Sequence, residues 1–277
     1  MRPAWSEQFT AESLAQVDVI DWPRRITKGW AWGGSSGAGV KVGVVDSGVD
    51  ASHPAVGSIA GGVALTFDPD APDGVQIVEG PHDDLYGHGT ACAAIIRRVA
   101  PDVELHSVRV LGERLTGKGH VLAAGLHWAI DHGMHVVNLS LSTGKAEYFS
   151  RFHELADEAA FRGVTLVSAV NNIPAPSYPS LFSSVFSVAA HDGTDPYGFD
   201  YNPKPPVEFG APGIDVNVAW LGGGTVTATG NSFAAPCITA LVALIRSKHP
   251  AAAPYDVKTI LRAVANNASP PSSPAID

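Results

Sequence analysis

Sulfur, positive charge and long apolar runs are scarce in this chain, and each scarcity excludes a class of explanation. Cysteine occurs twice in 277 residues, at Cys92 and Cys237. Two cysteines cannot build a disulfide-framework fold, and they form no Cys-x-x-Cys pair for zinc or redox work. Two free thiols or a single Cys92–Cys237 bridge both remain open. Lys and Arg number 18 against 27 Asp and Glu, a net charge of −9, which is the wrong sign for a chain whose main partner is a nucleic acid. The longest apolar stretch, Ala234–Ile245, falls short of the about 20 residues a membrane-spanning helix needs, so no membrane partner is expected. Residues Met1 to Gln8 contain no apolar signal region, so a cytoplasmic location is expected. No internal repeat and no long Pro/Gly/Ser linker interrupts the chain. The expectation is one domain over 1–277, with an extension at 1–29, a core at 30–267 and a loose tail at 268–277.

What is present is an alternation of two patterns. Short β-branched runs (Val40–Val45, Val103–Val110, His135–Leu141, Val164–Val170, Val185–Ala189) alternate with helical periods. The helical periods are His88–Arg98, His120–Asp131, Lys145–Phe161, Ser232–His249 and Pro254–Ala265. Strands that are apolar almost throughout, separated by helices, predict an α/β fold with a mainly parallel sheet covered on both faces. The glycines of Gly33–Gly39 are no dinucleotide fingerprint. That motif follows a strand and opens a helix, whereas these precede the strand Val40–Val45.

In such sheets ligands bind beyond the carboxyl ends of the strands. Three segments there carry chemistry. Val44-Val-Asp-Ser-Gly48 ends a buried strand in Asp46, Gly87-His-Gly-Thr90 starts a helix with His88, and Gly230-Asn-Ser-Phe-Ala-Ala-Pro236 starts another near Ser232. Each has a plain structural reading: a turn cap for Asp46, a helix-start residue for His88, an N-cap for Ser232. Together they supply what acyl transfer requires. A serine attacks, a histidine takes its proton, and a carboxylate fixes the imidazole tautomer. A metal reading takes His82, Asp83, Asp84 and His88 as zinc ligands, although their spacing matches no standard site.

The order Asp46, His88, Ser232, within these three motifs, resembles the subtilisin-like serine proteases, from about Trp30 to Asn267. The resemblance implies a three-layer subtilisin-like fold and hydrolysis of a peptide or protein substrate without a cofactor or catalytic metal. It assigns Ser232 as nucleophile, His88 as general base then acid, and Asp46 as the group that orients His88. An asparagine amide completes the family's oxyanion hole. Counted from Gly163, that position is Asn172, with Asn171 the alternative. An extended substrate is expected to pair with Leu115-Thr116-Gly117 and Ser140-Leu141-Ser142. Ala169 and Val170 would line the pocket for the residue before the cut. No charge is expected on those walls, while Asp83 and Asp84 are expected to favour a basic residue one position upstream.

The departures from the family are specific. Asn231, Phe233 and Ala235 stand where the serine motif has threonine, methionine and a hydroxyl residue, and Asn231 is expected to serve as a cap. Cys92 falls where thiol-dependent relatives carry a cysteine, which suggests sensitivity to alkylation. The helix from His88 continues to Arg98 with no inserted calcium loop and no Ca²⁺-type Asp/Asn cluster. No inhibitory prodomain is expected before the core, so restraint by narrow specificity, a partner or a tail is expected. Residues 11–20 are read either as a tail in the cleft or as a packed surface segment. These features suggest a processing role such as leader-peptide removal from a ribosomal peptide precursor. The alternative is a weakly active or inactive member serving as a peptide-binding scaffold.

Overall fold

A computed structural model describes residues 3–268, so the tail expected from 268 onward lies outside the described residues except for Ala268. The strands of the main sheet are β1 (Lys41–Asp46), β2 (Gly61–Phe67), β3 (Val75–Glu79), β4 (Glu104–Arg109), β5 (Val136–Leu139), β6 (Thr165–Ala169), β7 (Phe186–His191), β8 (Asp200–Tyr201) and β9 (Phe209–Pro212). A separate hairpin pairs β10 (Val216–Trp220) with β11 (Gly224–Ala228). The helices are α1 (Ala11–Leu14), α2 (Lys28–Trp32), α3 (His88–Val99), α4 (Gly119–Asp131), α5 (Phe149–Phe161), α6 (Asn231–Lys248) and α7 (Pro254–Val264).

The sheet runs β3-β2-β4-β1-β5-β6-β7-β9-β8. Pairing is parallel from β2 to β9 and antiparallel only at the two edges, β3 on β2 and β8 on β9. The continuous apolar runs make sense here because successive strand residues point to opposite faces. Val42 and Val44 of β1 pack with α3 and α6, whereas Val45 packs with α4 and α5. Val136 and Val137 of β5 divide the same way, as do Val167 and Leu166 of β6. Helices α2, α3, α6 and α7 cover one face and α4 and α5 the other, giving the expected three layers.

Helix α6 is the central support. Every residue from Phe233 to Ile245 is buried, so this helix is apolar on all sides rather than amphipathic, as a helix enclosed between a sheet and other helices must be. It lies against α3 and against β5, β6, β7 and β9. Burying each large apolar side chain there is worth about 1.5–3 kcal/mol relative to exposure. The start of α6 is thereby fixed over the carboxyl ends of the central strands.

Some elements differ from expectation. Helix α5 begins at Phe149 rather than Lys145, because Thr143 is bridged to Tyr178 by two backbone hydrogen bonds and a 3₁₀ turn intervenes. Strand β9, Phe209-Gly-Ala-Pro212, carries little strand propensity of its own and is held by pairing with β7. The segment 11–20 stays out of the substrate cleft described below. It contains the short helix α1, and Ile20 packs on the core beside α2.

Candidate active site

Asp46 is the last residue of β1, His88 the first of α3, and Ser232 the second of α6. The Asp46 carboxylate is fully buried and accepts from His88 Nδ1 at 2.8 Å and 2.9 Å on its two oxygens. Ser47 N–H donates to the same carboxylate at 2.8 Å. With its proton committed to Asp46 through Nδ1, the neutral imidazole presents an unprotonated Nε2. Ser232 and His88 line one cleft of about 370 Å³. No hydrogen bond joins the Ser232 hydroxyl to His88 among the described residues; such bonds commonly tighten only when substrate arrives.

Burial pushes the His88 pKa down, but the Asp46 charge, the hydrogen bond to Asp46 and the Asp84 charge together outweigh it, and the net shift is upward. Phe233, which follows the serine, sets its ring 5.4 Å from the His88 ring.

Two close approaches seat the start of α3, one against the β1 turn and one against β10. A Cβ on Gly89 would collide with the Gly48 carbonyl oxygen, so only glycine lets the helix start lie against the Asp46 turn. Gly87 has φ 108°, and a side chain there would meet the Trp220 ring at 2.8 Å. Asp84 ties the joint. Its carboxylate accepts from Ser47 Oγ, Tyr86 N, Gly87 N, Thr90 N and Thr90 Oγ1, at distances from 2.6 to 2.9 Å. Ser47 Oγ in turn accepts from Gly89 N at 3.1 Å. Asp84 is therefore turned inward and does not face the substrate cleft, contrary to the expectation of an acidic wall for a basic residue. Asp83 lies on a different surface depression.

The proposed metal set does not converge. His82 is bonded through Nδ1 to the Gly80 carbonyl and through Nε2 to Ser107 Oγ, while His88 faces Asp46. A second group, His127, Asp131 and Glu158, already has a cation between its carboxylates. Arg162 reaches Asp131 at 2.7 Å and Glu158 at 3.1 Å.

The two asparagines both line the cleft and are held differently. Asn172 Oδ1 accepts from the backbone N–H of Asn231 at 2.9 Å, which turns its amide nitrogen away from that bond. Asn171 Oδ1 instead accepts from Ile173 N at 3.1 Å in a local turn. The Ser232 N–H has no partner among the described residues, as suits a free donor at a helix N-terminus.

Leu115, Thr116, Gly117, Ser140, Leu141, Ser142, Ala169 and Val170 all line the cleft that holds His88, Asn172 and Ser232. Sequence reasoning missed Leu111, Leu122 and two cations, Lys118 and Lys145. Among the described residues no carboxylate lines the cleft; the Lys118 ammonium lies over the Phe67 ring, 2.9 Å from its centroid, and Lys145 pairs with Glu147 at 4.0 Å. The lysines were present in the loops following Gly117 and Thr143, but only the fold turns those loops to the cleft. A larger cleft of about 1110 Å³ lies between α7 and the segment before α2, and it contains no nucleophile or base of this type.

Cys92 lies beneath the site, fully buried, with Sγ 3.3 Å from Ser140 Oγ and 3.6 Å from the Ser232 carbonyl oxygen. Both cysteines are free. Burial, then the Asp46 charge, pushes the Cys92 thiol well up, and burial pushes Cys237 up to about 12. A buried, protonated thiol is a poor nucleophile, which argues against fast alkylation of Cys92 in the folded protein.

Residues 37–275 match the model of the subtilase family. Among curated proteins the chain is 32% identical over 228 residues to a thermostable alkaline protease of Halalkalibacterium halodurans, covering 78% of this chain and 59% of that one. It is 30% identical over 245 residues to subtilisin Savinase of Lederbergia lenta, covering 84% and 86%. The chain spans 59–61% of the length of the first three curated relatives. The crystal structure of a cold adapted subtilisin-like serine proteinase superposes with a TM-score of 0.68 at 26% identity, over 82% of each chain.

Proposed function

Because the chain belongs to the subtilase family, we propose that it is a serine endopeptidase working through Asp46, His88 and Ser232. The observation that carries this reading is the buried two-oxygen contact between Asp46 and His88 Nδ1, at 2.8 Å and 2.9 Å, in a cleft shared with Ser232.

An extended peptide pairs with the backbone of residues 115–117 on one side and 140–142 on the other, a form of strand addition. Ser232 Oγ attacks the scissile carbonyl carbon as His88 Nε2 takes the hydroxyl proton. Asp46 holds the ring and stabilises the imidazolium. The oxyanion receives the Ser232 N–H and the Asn172 amide. Collapse of this intermediate breaks the C–N bond, and the proton on His88 leaves with the amine. Water then repeats the sequence on the acyl-enzyme and releases the acid. Losing one oxyanion donor of this kind costs about 10²–10³ in kcat, so Asn172→Ala is expected to fall in that range.

The test is a fluorophosphonate probe with the adduct mapped by mass spectrometry. Labelling is expected on Ser232, lost in His88→Ala and indifferent to chelator. A folded sample that stays unlabelled would sink the reading and leave the peptide-binding scaffold in its place.

Leu141, Ala169 and Val170 support an apolar residue before the cut. Cleavage of a peptide library checks this, and a strict arginine or lysine preference would contradict it. Leader removal from a ribosomal peptide precursor is the narrower form of the proposal, with precursor peptides as the substrates to assay.

A further inference from the structure

Asn231 uses its hydrogen-bonding groups on two separate segments, 170–172 and β7. Its backbone N–H donates to Asn172 Oδ1 at 2.9 Å. Its side-chain nitrogen donates to the carbonyls of Val170 at 3.2 Å and Asn171 at 3.1 Å. Its side-chain oxygen accepts from Ala190 N, within β7, at 2.8 Å. The amide orientation is determined by chemistry. Turned over, it would set oxygen against two carbonyls and nitrogen against an N–H. Asn231 is thus no helix cap, since no side chain caps the start of α6. It is a brace joining the loop after β6, the strand β7 and the first residue of α6.

That brace connects the two proposed oxyanion donors. The Ser232 N–H is one residue along from Asn231, and Asn172 is the third residue of the 170–172 segment that Asn231 grips through two carbonyls and one amide oxygen. We propose that Asn231 is a positioning residue which sets the distance between the Asn172 amide and the Ser232 N–H, and so acts on the transition state without touching the substrate. This rests on the serine endopeptidase reading above. Side-chain chemistry explains why asparagine serves at this position. One hydroxyl has a single donor and cannot reach two carbonyls and an N–H together, whereas a primary amide has two donors and an acceptor.

The experiment compares Asn231→Ala and Asn231→Asp with the parent on a peptide amide substrate, with and without Asn172→Ala. The aspartate keeps the size and the acceptor for Ala190 N but faces two carbonyls with oxygen. Misplacement by about 1 Å costs on the order of 10²-fold, so kcat is expected to fall roughly 10- to 100-fold in both variants. KM should stay within about threefold, because the loss is confined to the transition state. A peptide boronic acid, which forms a tetrahedral adduct on serine, should weaken in step with kcat. In the Asn172→Ala background the further loss from Asn231→Ala should shrink below about threefold, since the group it positions is gone.

Unchanged kcat in both variants overturns the proposal. So does a loss carried by KM, or a loss of equal size in both backgrounds. Thermal melts accompany each variant, and if the alanine variant does not fold, the aspartate variant decides. Fluorophosphonate labelling of the parent keeps the two claims apart. An unlabelled parent defeats the endopeptidase reading, whereas a labelled parent with unaltered variants defeats only the role of Asn231.

Discussion

His88 has two buried carboxylates near it, Asp46 in contact and Asp84 a turn away, and both raise its pKa against the effect of burial. Only the neutral ring accepts the serine proton, so activity falls as pH drops through this raised value. The acid limb of kcat/KM is expected above the ordinary histidine value of about 6.5. Removing the Asp84 charge with Asp84→Asn should move that limb to lower pH, and a pH–rate profile of the two proteins measures it. A limb that stays in place would show that Asp84 does not act on His88. The same shift has a linkage consequence. Since the folded pKa exceeds the unfolded one, His88 contributes stability below about pH 6.5 that is lost as pH rises through the folded value. At this scale much of the site was legible. Asp46, His88 and Ser232 were readable from their motifs. Spacing from Gly163 pointed to Asn172 over Asn171, and the backbone hydrogen bond from Asn231 to Asn172 Oδ1 is a tertiary contact that spacing could not disclose. The inward turn of Asp84 was likewise invisible, because a carboxylate bonded to five neighbouring donors has the same sequence as one facing solvent.

Helix α3 begins without a side-chain cap of its own, since its N-cap position is Gly87. Asp84 does the capping from a distance by accepting from Thr90 N, while also holding the preceding loop. Asp84→Ala leaves these buried donors unpaired, and each unsatisfied group costs about 1–3 kcal/mol. A loss of several kcal/mol in urea unfolding, larger than that of Asp84→Asn, is therefore expected, and equal losses would show that the aspartate oxygens are not individually needed. Elements with a strong period were readable: α3, α4, α6 and α7 begin and end within a residue or two of the patterns that predicted them. Strands β2, β3, β8 and β9 were not. They lie toward the sheet edges or carry glycine and proline, so neighbours rather than their own residues hold them.

Across the molecule the net charge is −9, while among the described residues no carboxylate lines the cleft that holds His88 and Ser232. Helix α3 runs uninterrupted, and an arginine is seated between Asp131 and Glu158. Chelation by EDTA is expected to move the melting temperature by less than about 2 °C, equivalent to no more than about 1 kcal/mol for a chain of this size. A calorimetric drop of many degrees would refute it. Sequence alone determined the layer architecture, because apolar runs of strand length alternating with helical periods have one economical packing, a parallel sheet covered on both faces. It also determined the chemical types at the strand ends. Tertiary structure decided which of those groups face substrate and which face inward. Lys118 reaches over Phe67, Asp84 and Cys92 are enclosed, and Asn231 is a brace instead of a cap. Side-chain direction at a loop depends on what the rest of the chain packs against it, and that information is not local.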